Sequence, residues 1–270
     1  MNGKPFSVYN TVRFEFRKPK RNELAMYHRR LFYLLFAFGL VSISQADTPE
    51  PSHVGLVPTV LFVFDASASM AEIAGDDGIK KIEVAKNAVN ILVEKLPSKY
   101  KLMLVYFDQD CGRVTVCKEL NSLQGDAQHK KLKSLVGRLL PMGNTPLAEA
   151  ILAGADQLKN LGTPHGELYM IVLSDGADNC GGNPCAEVRK IIKSGLNVRV
   201  HAVGFQVNQH AKAVLECVAR EGDGEYFNAR DTKQLKDAFE GLRKFIVSGI
   251  RPKKNKPTNN KGKKYFLPAN

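Results

Sequence analysis

Hydrophobic positions change between two periods along residues 59–247, which predicts strands separated by amphipathic helices. Residues 59–64 and 167–174 are short, almost continuous apolar runs, the pattern of strands buried on both faces. From 79 to 96 the apolar residues instead share one helical face, at Ile82, Ala85, Val89, Leu92, Val93 and Leu96. The same criteria predict strands at 101–107, 197–205 and 226–228 and helices at 130–140, 146–161, 186–194, 211–220 and 232–247.

The order of these elements predicts the fold class. Strands that alternate with amphipathic helices indicate an α/β fold with a doubly wound, mostly parallel sheet and helices on both faces. A short segment ending near Leu120 is predicted to pair with the strand at 101–107 as one antiparallel edge strand. Thr145 is predicted to be the N-cap of the helix at 146–161, with Pro146 in its first turn. Residues 58–248 are therefore expected to form one domain.

Oxygen-bearing side chains follow two of the predicted buried strands. Asp65, Ser67 and Ser69 come after the first apolar run, Asp175 comes after the second, and Thr145 precedes a helix. Open α/β sheets place their ligand sites at the carboxyl ends of the strands. Five hard oxygen donors, of which only two are charged, suit a small divalent cation and leave one coordination position for another ligand. Each segment alone is more often a turn or a helix cap, so the prediction depends on all three together.

The three segments resemble the metal-ion-dependent adhesion site (MIDAS) of the von Willebrand factor A domain family, in its exported bacterial single-domain form. In that family the site reads D-x-S-x-S after the first strand, a threonine between two helices and an aspartate after the fourth strand. The matching residues here are Asp65, Ser67, Ser69, Thr145 and Asp175. Residues 179–185, 203–205 and 224–227 are also similar to the bacterial members. The resemblance covers roughly residues 58–246 and implies the three-layer fold of that family.

The resemblance also implies a binding function. In the family the two serines bind the ion directly, the threonine does so in some states, and the aspartates act largely through water. Hydroxyl ligands leave much of the cation's charge uncompensated, so the open position attracts a Glu or Asp carboxylate of a partner protein. Mg²⁺ is the expected cofactor, with Mn²⁺ and Ca²⁺ as alternatives. We therefore expect an exported protein-binding or adhesion module, a monomer on its own.

Enzymatic activity is not expected. A metal-dependent phosphohydrolase on a similar sheet needs an aspartate nucleophile and a second carboxylate two residues later, where this chain has Ser67. The sequence also contains no G-x-x-x-x-G-K-[ST] phosphate loop. No Ser, Cys or Asp partner stands at a recognisable spacing from His129, His165, His201 or His210. These histidines are therefore expected to be ordinary surface or core residues.

Several further aspartates are predicted to lie in loops at the same edge of the sheet. They are Asp76, Asp77, Asp108, Asp110 and Asp178. Solvated loop carboxylates are the favoured interpretation, and a second, calcium-type site is the alternative.

Positive charge is concentrated at the two ends of the chain. The formal net charge is +12, but residues 1–46 carry 8 Lys and Arg against 2 Asp and Glu, and residues 251–270 carry 7 against none. Residues 47–250 carry 24 basic and 25 acidic residues, a net charge of −1. A basic groove on the folded body is therefore not supported, and no nucleic-acid partner is expected.

Residues 26–46 have the organisation of a signal peptide. Basic residues at 28–30 precede a 13-residue apolar run at 31–43, and small residues follow at 44–46. A spanning helix needs about 20 residues, so an uncleaved membrane anchor is the less favoured alternative. Residues 1–25 receive no assignment, Met26 is an alternative start, and residues 47–57 are read as a linker. The protein is expected to be periplasmic or secreted.

The C-terminal residues 249–270 are predicted to be a disordered basic tail. They are rich in Lys, Asn and Pro and nearly free of apolar residues, so they cannot bury enough surface to fold. A solvated tail is the favoured interpretation. The alternative is loose electrostatic contact with an anionic envelope surface, and with it an alternative function: an envelope-associated structural protein whose binding is metal-independent.

Five cysteines agree with export, because exported domains commonly form disulfides. Cys180 and Cys185 are the most suggestive pair, since the glycines and the proline between them permit a tight loop. Cys111 and Cys117 are harder to join. If residues 113–116 form a strand, their Cα atoms lie ~20 Å apart, against about 4.4–6.8 Å in a disulfide. Either that stretch is looped or the pairing is different, and the connectivity stays open.

Overall fold

The computed structural model describes residues 56–75, 78–161 and 166–248. The predicted signal peptide, most of the linker, the basic tail, Asp76, Asp77 and His165 lie outside these ranges. The strands are β1 (Thr59–Asp65), β2 (Lys101–Phe107), β3 (Thr115–Val116), β4 (Leu168–Ser174), β5 (Val198–Phe205) and β6 (Asp223–Ala229). The helices are α1 (Lys81–Lys95), α2 (Gly125–Gly137), α3 (Leu147–Lys159), α4 (Pro184–Lys193), α5 (Gln209–Glu221) and α6 (Thr232–Ser248).

The six strands form one sheet in the order β3-β2-β1-β4-β5-β6. All neighbouring pairs are parallel except β2 and β3, where Val105 pairs with Val116 in an antiparallel register. The predicted mostly parallel sheet with one antiparallel edge strand is thus confirmed. β1 and β4 lie in the middle, and every residue of both strands is buried, as their uninterrupted apolar sequences predict.

Two layers of helices cover the sheet. Alternate residues of β1 enter opposite hydrophobic clusters, Phe62 and Phe64 on one face and Leu61 and Val63 on the other. The first cluster includes residues of α1, α2 and α6, and the second includes residues of α3, α4 and α5. The result is a three-layer α/β domain. Within the described ranges, no helix combines the length and apolarity that are needed to cross a membrane.

Several element boundaries differ from the prediction where the residues are polar. α2 begins at Gly125, five residues before its predicted start. A polar residue, Gln128, is buried in this first turn because both ends of its amide are paired: Oε1 accepts from Leu102 N–H (2.9 Å) and Nε2 donates to the Leu120 carbonyl (2.7 Å). α4 begins two residues early, at Pro184, since the Asn183 side chain caps it. β6 is longer than predicted because an edge strand with polar residues shows no apolar period.

The predicted N-cap of α3 was wrong. Pro146 occupies the cap position, and no side chain caps the helix there. Thr145 instead uses its backbone to reach the loop after β4: its N–H donates to Asn179 Oδ1 (2.8 Å), and its carbonyl accepts from Asn179 N–H (3.3 Å). The residue that resembled a helix cap therefore joins two loops.

The favoured cysteine pair was also wrong. Cys180 bonds to Cys111 and Cys185 bonds to Cys217, with Cα–Cα distances of 5.4 and 5.5 Å. Cys117 is free and buried. Cys180 and Cys185 are separated because Cys180 stays in the loop after β4 while Cys185 lies in the first turn of α4, which packs against α5. Both bridges join segments that are distant in sequence, which a short-range loop argument cannot find.

Candidate metal site at the carboxyl edge of the sheet

The first and second oxygen-bearing segments meet because β1 and β4 are parallel neighbours. Phe64 pairs with Leu173, so the two strands end side by side, β1 at Asp65 and β4 at Ser174. The third segment joins them through the backbone: Met142 N–H donates to the Ala66 carbonyl (2.9 Å). The predicted convergence at the carboxyl edge thus follows directly from strand order and direction.

Asp65 is held rigidly at the centre of this edge. The residue is fully buried, its Oδ1 accepts from Ser67 N–H (2.8 Å), and its other carboxylate oxygen accepts from the Ser174 hydroxyl. Burial, together with the negative charge of Asp175, raises the pKa of the Asp65 carboxyl to about 6. A buried carboxylate close to a second one is an environment that a bound cation stabilises.

Ser67, Ser69 and Asp175 present three oxygens in a row. The two serine Oγ atoms lie 3.2 Å apart, and Ser69 Oγ donates to Asp175 Oδ1 at 2.8 Å. Adjacent ligands of an octahedral Mg²⁺ with bonds of about 2.1 Å lie about 3 Å apart, so these spacings fit neighbouring corners of such a shell. The chemistry of the donors fits as well, since all of them are hard oxygens. The residues present therefore fit a small divalent cation.

A network of backbone contacts fixes the loop that carries Thr145. The Gly143 carbonyl accepts from Ala68 N–H (3.1 Å), and Asn144 N–H donates to the Gln109 carbonyl (2.9 Å). Gly143 has a φ of +74°, and a Cβ there would stand 2.3 Å from the Gln109 carbonyl oxygen. Only glycine fits this close approach. These contacts hold Thr145 in a buried position beside the loops that follow Asp65 and Asp175.

Asp178 has a structural role in the loop after β4. Its Oδ2 accepts from Ala148 N–H at the start of α3 (2.8 Å), and its Oδ1 accepts from Cys180 N–H and Gly182 N–H (2.9 Å each). Both oxygens are engaged by backbone donors, so Asp178 is not a solvated loop carboxylate. It ties the Cys180 loop to the helix that follows Thr145.

Lys81 is a site residue that the sequence did not reveal. It is the first residue of α1, its side chain is 7% exposed, and its Nζ donates to Asp175 Oδ2 (3.0 Å) and to Glu72. Burial acts to lower the pKa of Lys81, but the hydrogen bonds to Glu72 and Asp175 outweigh it and leave the pKa above its usual value. A lysine beside the apolar Ile82 looks like any helix-surface residue, so the sequence carried no signal for it.

A second metal site is not supported in the part of the chain that the structure describes. The one group of three or more metal-type side chains there comprises Cys185, Cys217 and Glu221, and its two cysteines are joined in a disulfide. Asp108 and Asp110, which follow β2, belong to no such group among the described residues. Asp108 and Asp110 therefore do not support the alternative of a second, calcium-type site.

Comparison with known proteins identifies the domain. The model of the von Willebrand factor type A domain matches residues 59–241. Two curated relatives are the uncharacterised proteins YwmD and YwmC of Bacillus subtilis (strain 168), each 28% identical to this chain. The YwmD match covers 75% of this chain and 92% of the relative, and the YwmC match covers 75% and 90%.

Solved structures agree on the fold. A von Willebrand factor type A protein from Catenulispora acidiphila is 21% identical with a TM-score of 0.56; the match covers 70% of this chain and 42% of that chain, so this chain spans less than half of its length. The vWF domain of the pilus tip protein Mfa5 from Porphyromonas gingivalis is 13% identical over 73% of this chain and 97% of that one, with a TM-score of 0.56.

Proximal thread matrix protein 1 of the mussel byssus, in a form with a zinc-occupied MIDAS motif, is 21% identical with a TM-score of 0.53. That match covers 70% of this chain and 46% of the other. At these identities the structures establish the shared fold alone. Because the family model matches more than half of the sequence, the chain belongs to the von Willebrand factor type A domain family.

Proposed function

We propose that this protein is an exported, non-enzymatic binding module that captures an acidic side chain of a partner protein through a divalent cation. The observation that carries the proposal is the spacing of Ser67 Oγ, Ser69 Oγ and Asp175 Oδ1 beside the buried carboxylate of Asp65. Thr145 supplies a further hydroxyl from the adjoining loop. Mg²⁺ is the proposed cofactor, since hard oxygen donors at octahedral spacing are its usual environment.

The charge of the donors explains why the site would bind rather than react. Asp65 and Asp175 contribute two negative charges, and the hydroxyls of Ser67, Ser69 and Thr145 contribute none. A bound cation supplies an electrophilic coordination position that these residues leave open to an anionic oxygen. Ser69 Oγ donates to Asp175, but that carboxylate also pairs with Lys81 and belongs to the proposed ligand set, so capture of a carboxylate and not general-base catalysis is the proposed outcome.

Exposed hydrophobic residues beside the site support a protein as the partner. We call Ile73, Ile79, Leu140 and Met142 the apolar rim; they are half of the eight large exposed hydrophobic residues within the described ranges. Leu140 and Met142 are 63% and 50% exposed and precede Thr145, while Ile73 and Ile79 lie in the segment between Ser69 and Lys81. Met142 N–H donates to the Ala66 carbonyl next to Asp65. Ile73 pairs with Lys80, next to Lys81. Exposed apolar residues therefore lie in the loops that carry the site, as at many interaction surfaces. The proposed partner epitope is an acidic residue with apolar neighbours.

The proposed location is the periplasm or the exterior of the cell. The signal-peptide pattern at 26–46 and the two disulfides support it, because disulfides persist in oxidising compartments. One of the structures with the same fold is a domain of a pilus tip protein. The protein is proposed to be a monomer that meets its partner there.

Metal and partner binding can be tested on the same protein. Mn²⁺ binding to the full chain is measured by water-proton relaxation, and proteins retained from an envelope extract are compared in Mg²⁺ and in EDTA. We expect Ser67→Ala to lose both Mn²⁺ binding and metal-dependent retention. Ser98→Ala, a hydroxyl deletion in an exposed turn before β2 at the opposite edge, should keep both.

Two outcomes would count against the proposal. Failure of the wild-type chain to bind Mn²⁺ or Mg²⁺ at millimolar concentration would remove its basis. Retention that persists in EDTA but disappears when residues 251–270 are deleted would favour the alternative function, attachment of an envelope-associated structural protein through its basic tail.

A further inference from the structure

We infer that the positive charge of Lys81 has opposite effects on two binding steps. It weakens the affinity of the empty site for the metal ion, and it strengthens the affinity of the metal-loaded site for an anionic partner. This inference rests on the proposed function, since it concerns the same site. It assigns opposite effects on two binding constants to one side chain. Removing the Lys81 charge would therefore improve the first constant and impair the second.

The ammonium group of Lys81 lies in direct contact with one of the proposed metal-binding residues, Asp175. Its Nζ lies 3.0 Å from Asp175 Oδ2, while Asp175 Oδ1 accepts from Ser69 Oγ at 2.8 Å. Both oxygens of Asp175 are thus engaged, one of them by a cation. Within the described ranges, Lys81 is the one basic side chain that forms an ion pair with either Asp65 or Asp175.

The position of Lys81 is built into the fold. Glu72 N–H donates to the Ser69 carbonyl (3.0 Å), and Lys81 N–H donates to the Glu72 carbonyl (2.8 Å). The Glu72 carboxylate holds Nζ from the solvent side. Ser69 and Lys81 are thereby connected through one short chain of contacts, and the ammonium cannot move into solvent without breaking its ion pair with the buried Asp175.

A count of charges gives the expected direction. The formal charges of two buried carboxylates, Asp65 and Asp175, sum with a divalent cation to zero, so only the local field of the ion at its open position attracts an anion. Lys81 raises the sum to +1, and Glu72 offsets this only weakly because its side chain is 65% exposed and screened by water. The loaded site thus attracts a carboxylate, while the empty site repels part of the incoming metal charge.

Coulomb's law indicates that the effect is measurable. Even at the dielectric constant of bulk water, a unit charge about 5 Å from a divalent ion changes its binding constant by a little more than about tenfold, so about tenfold is the lower limit for a buried lysine. A purely structural role for Lys81 would predict something else: removing it would loosen the start of α1 and weaken both binding steps together.

The experiment measures two constants on the full chain, Mn²⁺ binding by water-proton relaxation and acetate binding to the Mn²⁺-loaded protein. For Lys81→Met we expect Mn²⁺ to bind about tenfold more tightly and acetate to bind several-fold more weakly. Lys86→Met is the matched control: Lys86 is equally buried on the same helix but pairs with Glu83. Lys81→Arg keeps the charge and should stay close to wild type.

A second variant protects the test against a folding defect in Lys81→Met. Glu72→Gln removes an exposed, water-screened counter-charge of Lys81, so both constants should change in the direction opposite to Lys81→Met but by a smaller factor: Mn²⁺ binds more weakly and acetate more tightly. The inference would be overturned by equal Mn²⁺ binding constants for Lys81→Met and Lys86→Met, or by weaker binding of both Mn²⁺ and acetate to Lys81→Met. In either case Mn²⁺ binding by the wild-type chain would still uphold the proposed function. Absence of Mn²⁺ binding to the wild-type chain would instead overturn the proposed function itself.

Discussion

Ser174, the last residue of β4, donates a hydrogen bond from its hydroxyl to the carboxylate of Asp65, the last residue of β1. This contact joins the two central strands at the edge where the proposed ligands meet. Ser174 was not singled out in the sequence, since it looks like the polar end of an apolar strand. Its hydroxyl fixes the orientation of the buried Asp65 carboxylate, as residues that hydrogen-bond to metal ligands commonly do.

Loss of this contact should be costly. Ser174→Ala leaves one oxygen of a buried carboxylate without its donor, and we expect the free energy of unfolding to fall by about 1–3 kcal/mol. Urea denaturation of the metal-free protein measures the change. Ser122→Ala removes an exposed hydroxyl and should change stability by less than about 0.5 kcal/mol. Equal effects of the two substitutions would show that the Ser174–Asp65 bond contributes little.

Gly143→Ala should disturb the loop that carries Thr145. The residue has a positive φ, and the added Cβ would stand 2.3 Å from the Gln109 carbonyl oxygen, so the loop must move. We expect a loss of about 2 kcal/mol or more in the free energy of unfolding and weaker Mn²⁺ binding.

Gly137→Ala is the control for this loop variant. Gly137 ends α2, and a Cβ built there has no atom within 4 Å. Its replacement should leave stability unchanged or raise it by up to about 1 kcal/mol, because alanine favours the helix. Thermal denaturation of both variants decides the comparison. A Gly143→Ala protein as stable as wild type would contradict the tight fit of the loop.

His201 should make stability depend on pH. Burial, aided by the positive charge of Arg199, lowers the pKa of this histidine to about 4, against 6.5 ordinarily. Between these values the unfolded chain takes up a proton at His201 that the native protein does not, so the contribution of His201 to the free energy of unfolding falls as the pH falls. Asp65, whose pKa is raised to about 6, contributes in the opposite direction over much of the same range. The contribution is complete above pH 6.5, and about 3 kcal/mol is lost by pH 4.

A non-titrating variant isolates that effect. His201→Asn can keep the acceptor for Glu225 N–H, which His201 Nδ1 provides at 3.0 Å, without gaining a proton. Urea denaturation at pH 7 and pH 4.5 should show that acidification destabilises the wild type relative to His201→Asn, whatever the slope that Asp65 adds to both proteins. His210→Asn, a change at an exposed histidine, should behave like wild type. Parallel pH profiles for all three proteins would exclude His201 as the source.

The cysteines should divide into two bridges and one protected thiol. Peptide mapping of the oxidised protein is expected to give Cys111–Cys180 and Cys185–Cys217. Burial raises the pKa of the Cys117 thiol to about 12, so alkylation at pH 8 should be slow in the native protein and rapid after unfolding. A peptide that links Cys180 to Cys185 would contradict the structure, and fast native alkylation would contradict the burial of Cys117.

The sequence was sufficient for features that depend on local pattern. The apolar runs before Asp65 and Asp175 identified the two central strands, and their parallel pairing explains why those aspartates meet. The hydroxyls of Ser67, Ser69 and Thr145 were candidate ligands from their position beside these strands, and the resemblance to the family added to that prediction. Each strand was evident from its own residues, whereas the site was predicted from three short segments taken together.

Features that depend on contacts distant in sequence were missed or predicted wrongly. Lys81 reaches Asp175 across 94 positions, and Cys111 reaches Cys180 across 69, so neither contact appears in a short window of sequence. Thr145 has the residue type of a helix cap, but the loop after β4 binds its backbone. Local propensity is a weak guide wherever tertiary contacts satisfy the same polar groups.

The Cys111–Cys180 disulfide connects the loop after β2 with the loop after β4 and therefore bridges the end of β1, which lies between those strands. The carboxyl ends of β2 and β4, on either side of β1, cannot move apart while the bridge is intact. Much of the conformational entropy of both loops is thus lost during oxidative folding, before any ligand arrives. The proposed partner would therefore meet a preorganised surface, which lowers the entropic cost of recognition and favours slow release.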